Sequence, residues 1–365
     1  MNSALRHLPI LPCIALLAAC ASSPTVPETT SMSADSIGAM RVTEHRLGDD
    51  LLSAGLGLAG LRGPLPSFAV AEQPDVVELR RRAIYSSWRG IADLGPLGGY
   101  GEIYGAVPVV TGREFSAFAQ LPKATAAHRV LVQVPDLFNR QARCVVVTAS
   151  SGSRGIYGSI SLAGAWGLPR GCAVAYTDKG AGSGYFDVAS STGVQLDGTR
   201  AAVGEAELEF APRFDANDVA ADAVLVKHAH SGDNPEADWG RHVLQAAQFA
   251  LRVLDQAFPD EAPFTAQNTR IIAAGISNGG GAVLRAAEVD DGLLAGVVAI
   301  EPSIWAGEGG RSLFDYVTEA ALLAPCALLD ARFDATPFAR VNGAGPSAWR
   351  ARCDALHAIG QLQGS

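Results

Sequence analysis

The sequence predicts an α/β fold with a mainly parallel sheet. Three observations carry that reading. Apolar runs too uniform for half-exposed strands recur along the chain, stretches of helical periodicity separate them, and the order is strand, helix, strand, helix, strand. The chain has 365 residues, 48% hydrophobic and 18% charged, enough to bury a sizeable core in one large or two ordinary domains. A net charge of −9 and the lack of any long Lys/Arg run argue against a nucleic-acid partner. The short "LRRRA" around Arg81 reads as a solvated helix face.

The elements follow in chain order. Residues 1–20 place a basic Arg6 before a short apolar run and end in Leu17-Ala18-Ala19-Cys20, the architecture of a lipoprotein-type signal peptide with Cys20 as the lipidation site. Export is expected, to the outer membrane as a lipoprotein, the periplasm or the exterior, with membrane contact only through the lipid anchor. Residues 21–45 are rich in Ser, Thr and Pro and read as a flexible tether. Residues 46–365 then read as one α/β domain. After the N-terminus no apolar stretch is long enough to span a bilayer.

"RCVVVTAS" (Arg143 to Ser150) and "CAVAYTD" (Cys172 to Asp178) read as strands buried on both faces, joined by a crossover helix in "GIYGSISLAGAWGL". The Gly- and Asp-rich "DKGAGSGYFDVASSTG" reads as a long loop. In "DWGRHVLQAAQFALRVLDQAF", Val243, Ala247, Leu251, Leu254 and Phe258 form one apolar stripe, and Pro259 stops the helix. "TRIIAAGI" is then a strand, "GGGAVLRAAEV" a helix, and "LAGVVAIEP" another buried strand. Of six cysteines, four lie beyond the signal segment and allow three connectivities. Sequential pairing, Cys144 with Cys172 and Cys326 with Cys353, is the simplest. No cysteine spacing fits a zinc site.

Gly275-Ile276-Ser277-Asn278-Gly279 fits the G-x-S-x-G pattern. Alone, that pattern also fits an ordinary glycine turn. Here it lies where a predicted strand meets a predicted helix, the context a nucleophile elbow requires. Both glycines then have a reason, since residues two before and two after the serine approach closely. A nucleophilic Ser277 needs an oxyanion hole, and Asn278 with Ser151 and Gly152 of the "SSGSRG" loop are the candidate amides. It also needs a histidine and an acid. Asp178 and Glu301 end strands and are candidate acids. The only histidine after Ser277 is His357, on an amphipathic helix where a surface role fits as well. His228, His230 and His242 precede the serine, and "HAH" is a weak metal pattern without further ligands nearby.

The segments "DDLLSAGLGLAGL", "YGEIYG", "VQVPDLFN", "SSGSRGIYGSISLAGAWGLPRGCAVAYTDKGAGSGYFD" and "GISNGGGAVLRAAE", in this order, resemble the D-3-hydroxybutyrate oligomer hydrolase family from Asp49 onward. The resemblance implies an exported serine esterase that cleaves short oligoesters of 3-hydroxybutyrate to monomer, without cofactor, with Ser277 as nucleophile. Members of that family are about twice as long. The expectation is therefore an α/β-hydrolase-like catalytic domain over residues 46–365, incomplete at its C-terminus, with the triad histidine and acid unassigned and little activity from this chain alone. Two alternatives remain: a carboxylic ester hydrolase of the tannase or feruloyl-esterase type, and a non-catalytic surface lipoprotein that binds polyester fragments.

Overall fold

The computed structural model describes residues 37–362 except 97, 102, 153, 216, 228–234, 305–306, 312 and 335–345. Cys20, His228 and His230 lie outside the described residues. The strands are β1 (Arg41–His45), β2 (Gly112–Ala119), β3 (His128–Pro135), β4 (Cys144–Ala149), β5 (Ala173–Thr177), β6 (Tyr185–Asp187), β7 (Thr192–Val194), β8 (Arg200–Ala202), β9 (Val224–Val226), β10 (Arg270–Ile276) and β11 (Gly296–Ile300). The helices are α1 (Gly57–Arg62), α2 (Val76–Ile91), α3 (Ala165–Gly167), α4 (Trp239–Ala257), α5 (Asn278–Val289), α6 (Leu313–Ala327) and α7 (Pro346–Ala358).

A seven-stranded sheet runs in the order β1-β2-β3-β5-β4-β10-β11. It is mixed, which corrects the expectation of a mainly parallel one. β5, β4, β10 and β11 are mutually parallel, whereas β1–β2, β2–β3 and β3–β5 are antiparallel. For β2 and β3 the reason is connection length, since their short link turns the chain back directly, whereas parallel neighbours need crossovers. Strand β1 also corrects the tether, because residues 41–45 pair with β2 from Arg41↔Ser116 to His45↔Gly112. A further correction concerns the segment read as a long loop. It contributes β6 and β7 to a second, four-stranded sheet ordered β8-β7-β6-β9.

Alternation in the strands builds a core on each face. Val130, Val132, Val145, Val147 and Ile271 pack with α4 and α5 on one side. On the other, Leu131, Val146, Val174 and Tyr176 meet Leu51, Leu52, Ile84 and Trp88. The crossover between β4 and β5 is not one regular helix: a π turn (Ile160–Gly164), wider than an α turn, runs into α3. A Cβ at Gly164 would come within 2.6 Å of the Tyr176 hydroxyl, so glycine lets this segment lie against the sheet. A disulfide joins Cys144 to Cys172 across β4 and β5, with 4.6 Å between Cα atoms. A second, Cys326 to Cys353, ties α6 to α7. No helix among the described residues is long and apolar enough to cross a membrane.

Helix α2 opens with a capping box from Asp75 and Glu78, but its "LRRRA" is not a solvated face. Arg80 is buried and binds Glu114 through Nη2–H to Oε1 at 2.7 Å and Asp49 through Nη1–H to Oδ1 at 2.7 Å. Tyr157 and Gln133 also donate to Glu114, each at 2.8 Å. Charge composition could not reveal this, because each partner lies on a different element.

Candidate active site

β10 delivers Ser277 to the start of α5 in a backbone conformation that side chains avoid, φ 56° and ψ −124°. Such a residue persists only where its surroundings over-determine it, at about 1–3 kcal/mol of strain. They do so here. The Ser277 N–H donates to the Ile300 carbonyl at 3.0 Å, and the Ser277 carbonyl accepts from Gly281 N–H and Ser303 N–H, each at 3.0 Å. A Cβ on Gly275 would fall 2.2 Å from the Gly279 carbonyl oxygen, and one on Gly279 would fall 2.5 Å from that of Ala149. Gly279 thus seats the turn on the end of β4, where the Ser150–Gly155 loop begins.

The loop is anchored at several points. Ser150 N–H donates to Thr177 O at 2.9 Å, and Ser159 Oγ donates to Ala149 O at 2.6 Å. Gly152 has φ 55°, and its carbonyl accepts from Lys179 Nζ at 2.6 Å. Ser151 is buried and Gly152 partly so. Asn278 is the first residue of α5, where an amide has no intrahelical carbonyl to bind. The candidate oxyanion amides therefore come from two segments that the Gly279 contact holds together.

Lys179 was missed by sequence reasoning, which ended the strand at Asp178 and left the lysine to the loop that follows. Burial lowers its amine to about 8 against the opposing pull of Asp178 and Glu236, and the ammonium stands 4.7 Å over the Trp239 ring. The signal was present as a charged pair directly after an apolar strand.

Among the described residues none of the candidate acids and bases hydrogen-bonds to Ser277, although Glu301 lies beside it, one residue past the Ile276↔Ile300 pair. Asp178 is fully buried, and its Oδ1 accepts from Gly180 N–H at 3.1 Å in a local turn. Glu301 follows β11 with φ 41° and an exposed side chain. His357, on α7, is exposed and its Nδ1 lies 3.2 Å from the Leu362 carbonyl. His242 is buried in α4, edge-to-face with His128 at 4.5 Å between centroids. Among the described residues no histidine hydrogen-bonds to Ser277, and no cluster of three potential metal ligands occurs.

A family model described as 3HB-oligomer hydrolase matches residues 16–365. The chain belongs to the 3HB-oligomer hydrolase family. Relatives named D-(-)-3-hydroxybutyrate oligomer hydrolase include one from Paracidovorax citrulli, 42% identical over 364 residues, covering 86% of this chain and 51% of the relative. One from Paraburkholderia xenovorans is 41% identical, covering 87% of this chain and 51% of its own length. A third, from Polaromonas naphthalenivorans, is 38% identical with 96% of this chain and 55% of the relative covered. The chain thus spans about half the length of the curated relatives it matches.

Proposed function

We propose that this chain carries the nucleophile and oxyanion hole of a serine esterase of α/β-hydrolase type, acting on short oligomers of D-3-hydroxybutyrate. The observation that carries the reading is Ser277 at positive φ between β10 and α5, on a turn whose glycines leave no room for a side chain. In this reading Ser277 Oγ attacks the ester carbonyl and the amides of Asn278, Ser151 and Gly152 receive the oxyanion. The 3-hydroxyl of the next unit leaves, and water then releases the acyl group. The family's name for its members supports the substrate class. A fluorophosphonate is expected to label Ser277, slowly because no described histidine touches it, and Ser277→Ala should remove the label. Labelling mapped to another residue would overturn the assignment.

The absence of a histidine contact among the described residues favours one competing reading, a surface protein that binds polyester fragments without cutting them. Turnover of a hydroxybutyrate dimer decides between them. Activity on aromatic esters but not on the dimer would point to a tannase-like or feruloyl-esterase-like enzyme. We also propose export with a lipid on Cys20. Membrane fractionation should then lose the protein on Cys20→Ala, and equal solubility of both forms would refute the anchor.

A further inference from the structure

A cavity of ≈ 690 Å³ opens between α2, β1, β3, the loop after β4 and the second sheet. That volume lies in the roughly 300–1,000 Å³ range of small-molecule sites. One part of its wall, Val130 at the start of β3, lies opposite Thr177 at the carboxyl end of β5. The carboxyl ends of parallel strands are where open α/β sheets hold ligands. The Ser150–Tyr157 stretch links the two places, since Ser150 abuts Gly279 of the elbow while Arg154 and Gly155 line the cavity.

The wall carries four arginines, Arg41, Arg80, Arg129 and Arg154, and four carboxylates, Glu44, Asp49, Glu114 and Asp197, so its character is set by which of them are paired. The carboxylates facing the cavity already have donors: Glu114 and Asp49 share Arg80, Glu44 meets Arg46, and Asp197 accepts from the Thr199 hydroxyl at 2.6 Å. Two guanidiniums in the same wall form no ion pair among the described residues. Arg154 donates to the Gly90 carbonyl at 2.7 Å, and Arg41 stands near Asp197 without bonding to it. Both are half-buried, where a planar fork binds a carboxylate well. Ser87, Ser116 and Ser183 line the same space, and Leu79 and Val194 supply apolar wall for methyl groups.

We propose that this cavity binds the free carboxylate end of a short hydroxy-acid oligomer, with Arg154 and Arg41 as its counter-charges. The assignment rests on the esterase reading and adds to it a basis for preferring oligomers with a free acid end. The test uses the Ser277→Ala chain titrated with D-3-hydroxybutyrate, followed by calorimetry, so that it does not depend on turnover. Saturable binding is expected, at least tenfold weaker for the uncharged methyl ester, and weakened about tenfold or more by Arg154→Met and by Arg41→Met, as loss of one charged hydrogen-bond partner implies. The methyl-ester comparison needs no arginine variant, so a misfolded variant does not leave the question open. Equal binding of acid and ester, unchanged affinity in both folded variants, or no saturable binding would overturn the proposal. If acid binding passes while Ser277 resists fluorophosphonate, the esterase reading fails and the carboxylate site stands.

Discussion

β4 and β11 are both short apolar strands built around a Val-Val pair, CVVVTA and GVVAI, yet one lies inside the sheet and the other at its edge. In β4, Val145 and Val147 are wholly enclosed and Val146 nearly so, between the helix layer of α4 and α5 and the layer built from α2 and the crossover. In β11, Val297 and Ala299 touch the α4–α5 side, but Val298 on the opposite face is 49% exposed. The second layer fades from β10 onward, where Ile272 and Ile276 are only half-buried. Apolar composition therefore specifies a strand and says nothing of how many layers cover it. Ser277 lies at this boundary, fixed by β10 and α5 below and open on the side where the layer thins.

The largest effect should come from putting the same charge into both strands. Val147→Lys places an ammonium among Val130, Val132, Ala175 and Ala273, with no carboxylate in that cluster. Burying an unpaired charge of this kind costs several kcal/mol, of order 4 or more, so the variant should be unfolded or nearly so by urea titration at neutral pH. A native-like midpoint would show that the centre of the sheet is not enclosed as described.

Acid should separate the regions next. Burial lowers His128 to about 3, aided by Lys227, and lowers His242 well below its ordinary value, aided by His128, Lys227 and Lys179. Their unfolded-state protons bind near 6.5, so the stability these neutral rings permit is whole above that pH and lost as pH falls toward the folded values. Each contributes a slope of about 1.4 kcal/mol per pH unit in that window. Glu114, which burial alone would raise, is held below its ordinary range by Arg80 and His45, so its loss begins only beneath about pH 4.5. His45 has the opposite sign: burial opposes its proton, but Asp49 and Glu114 raise it, and its contribution is fully present below 6.5. Urea midpoints measured from pH 7 to 5 should therefore fall, and His128→Phe should flatten the fall. A flat profile in the parent would refute the buried neutral pair.

How much of this was legible follows the same division. β4, β5, α4, β10 and α5 announce themselves because long apolar runs and a clean helical stripe need no tertiary partner to be read. β1, β2 and β3 were passed over because Arg113, Glu114, His128 and Arg129 interrupt their pattern. Glu114, His128 and Arg129 are buried, and Arg129 is satisfied by Glu209, 2.6 Å away on another element. The elbow was legible since Gly275 and Gly279 encode a steric requirement. A base was not, because a histidine's reach is a property of the fold. Lys179 escaped for the same reason, its partner carbonyl at Gly152 lying across two strands.

At Ser277 the boundary position implies a trade between function and stability. Ser277→Gly removes the strain of positive φ in a side-chain-bearing residue, while glycine's extra unfolded-state entropy offsets part of the gain. A net stabilisation of about 1 kcal/mol is expected, together with loss of fluorophosphonate labelling. A destabilised variant would mean that the serine hydroxyl supports the fold and that the turn is structural.

The smallest effect should come from Val298→Lys, the counterpart of the first substitution. Val298 pairs with Ala274 in register, its side chain is 49% exposed, and β11 has no strand on its other side among the described residues. Lysine keeps its ammonium in water there while its methylenes lie on the strand, as edge strands commonly use it. The change in unfolding free energy should stay within about 0.5 kcal/mol, the range of ordinary surface substitutions. The measurement is sensitive in one direction. If β11 is covered in solution by another polypeptide segment or a second copy, the buried ammonium would cost several kcal/mol, as at Val147, and the loss would grow weaker on dilution only for a second copy. Matching urea midpoints for parent and variant at two protein concentrations would establish that β11 is a true edge. A large, concentration-independent loss would erase the contrast between the two valines.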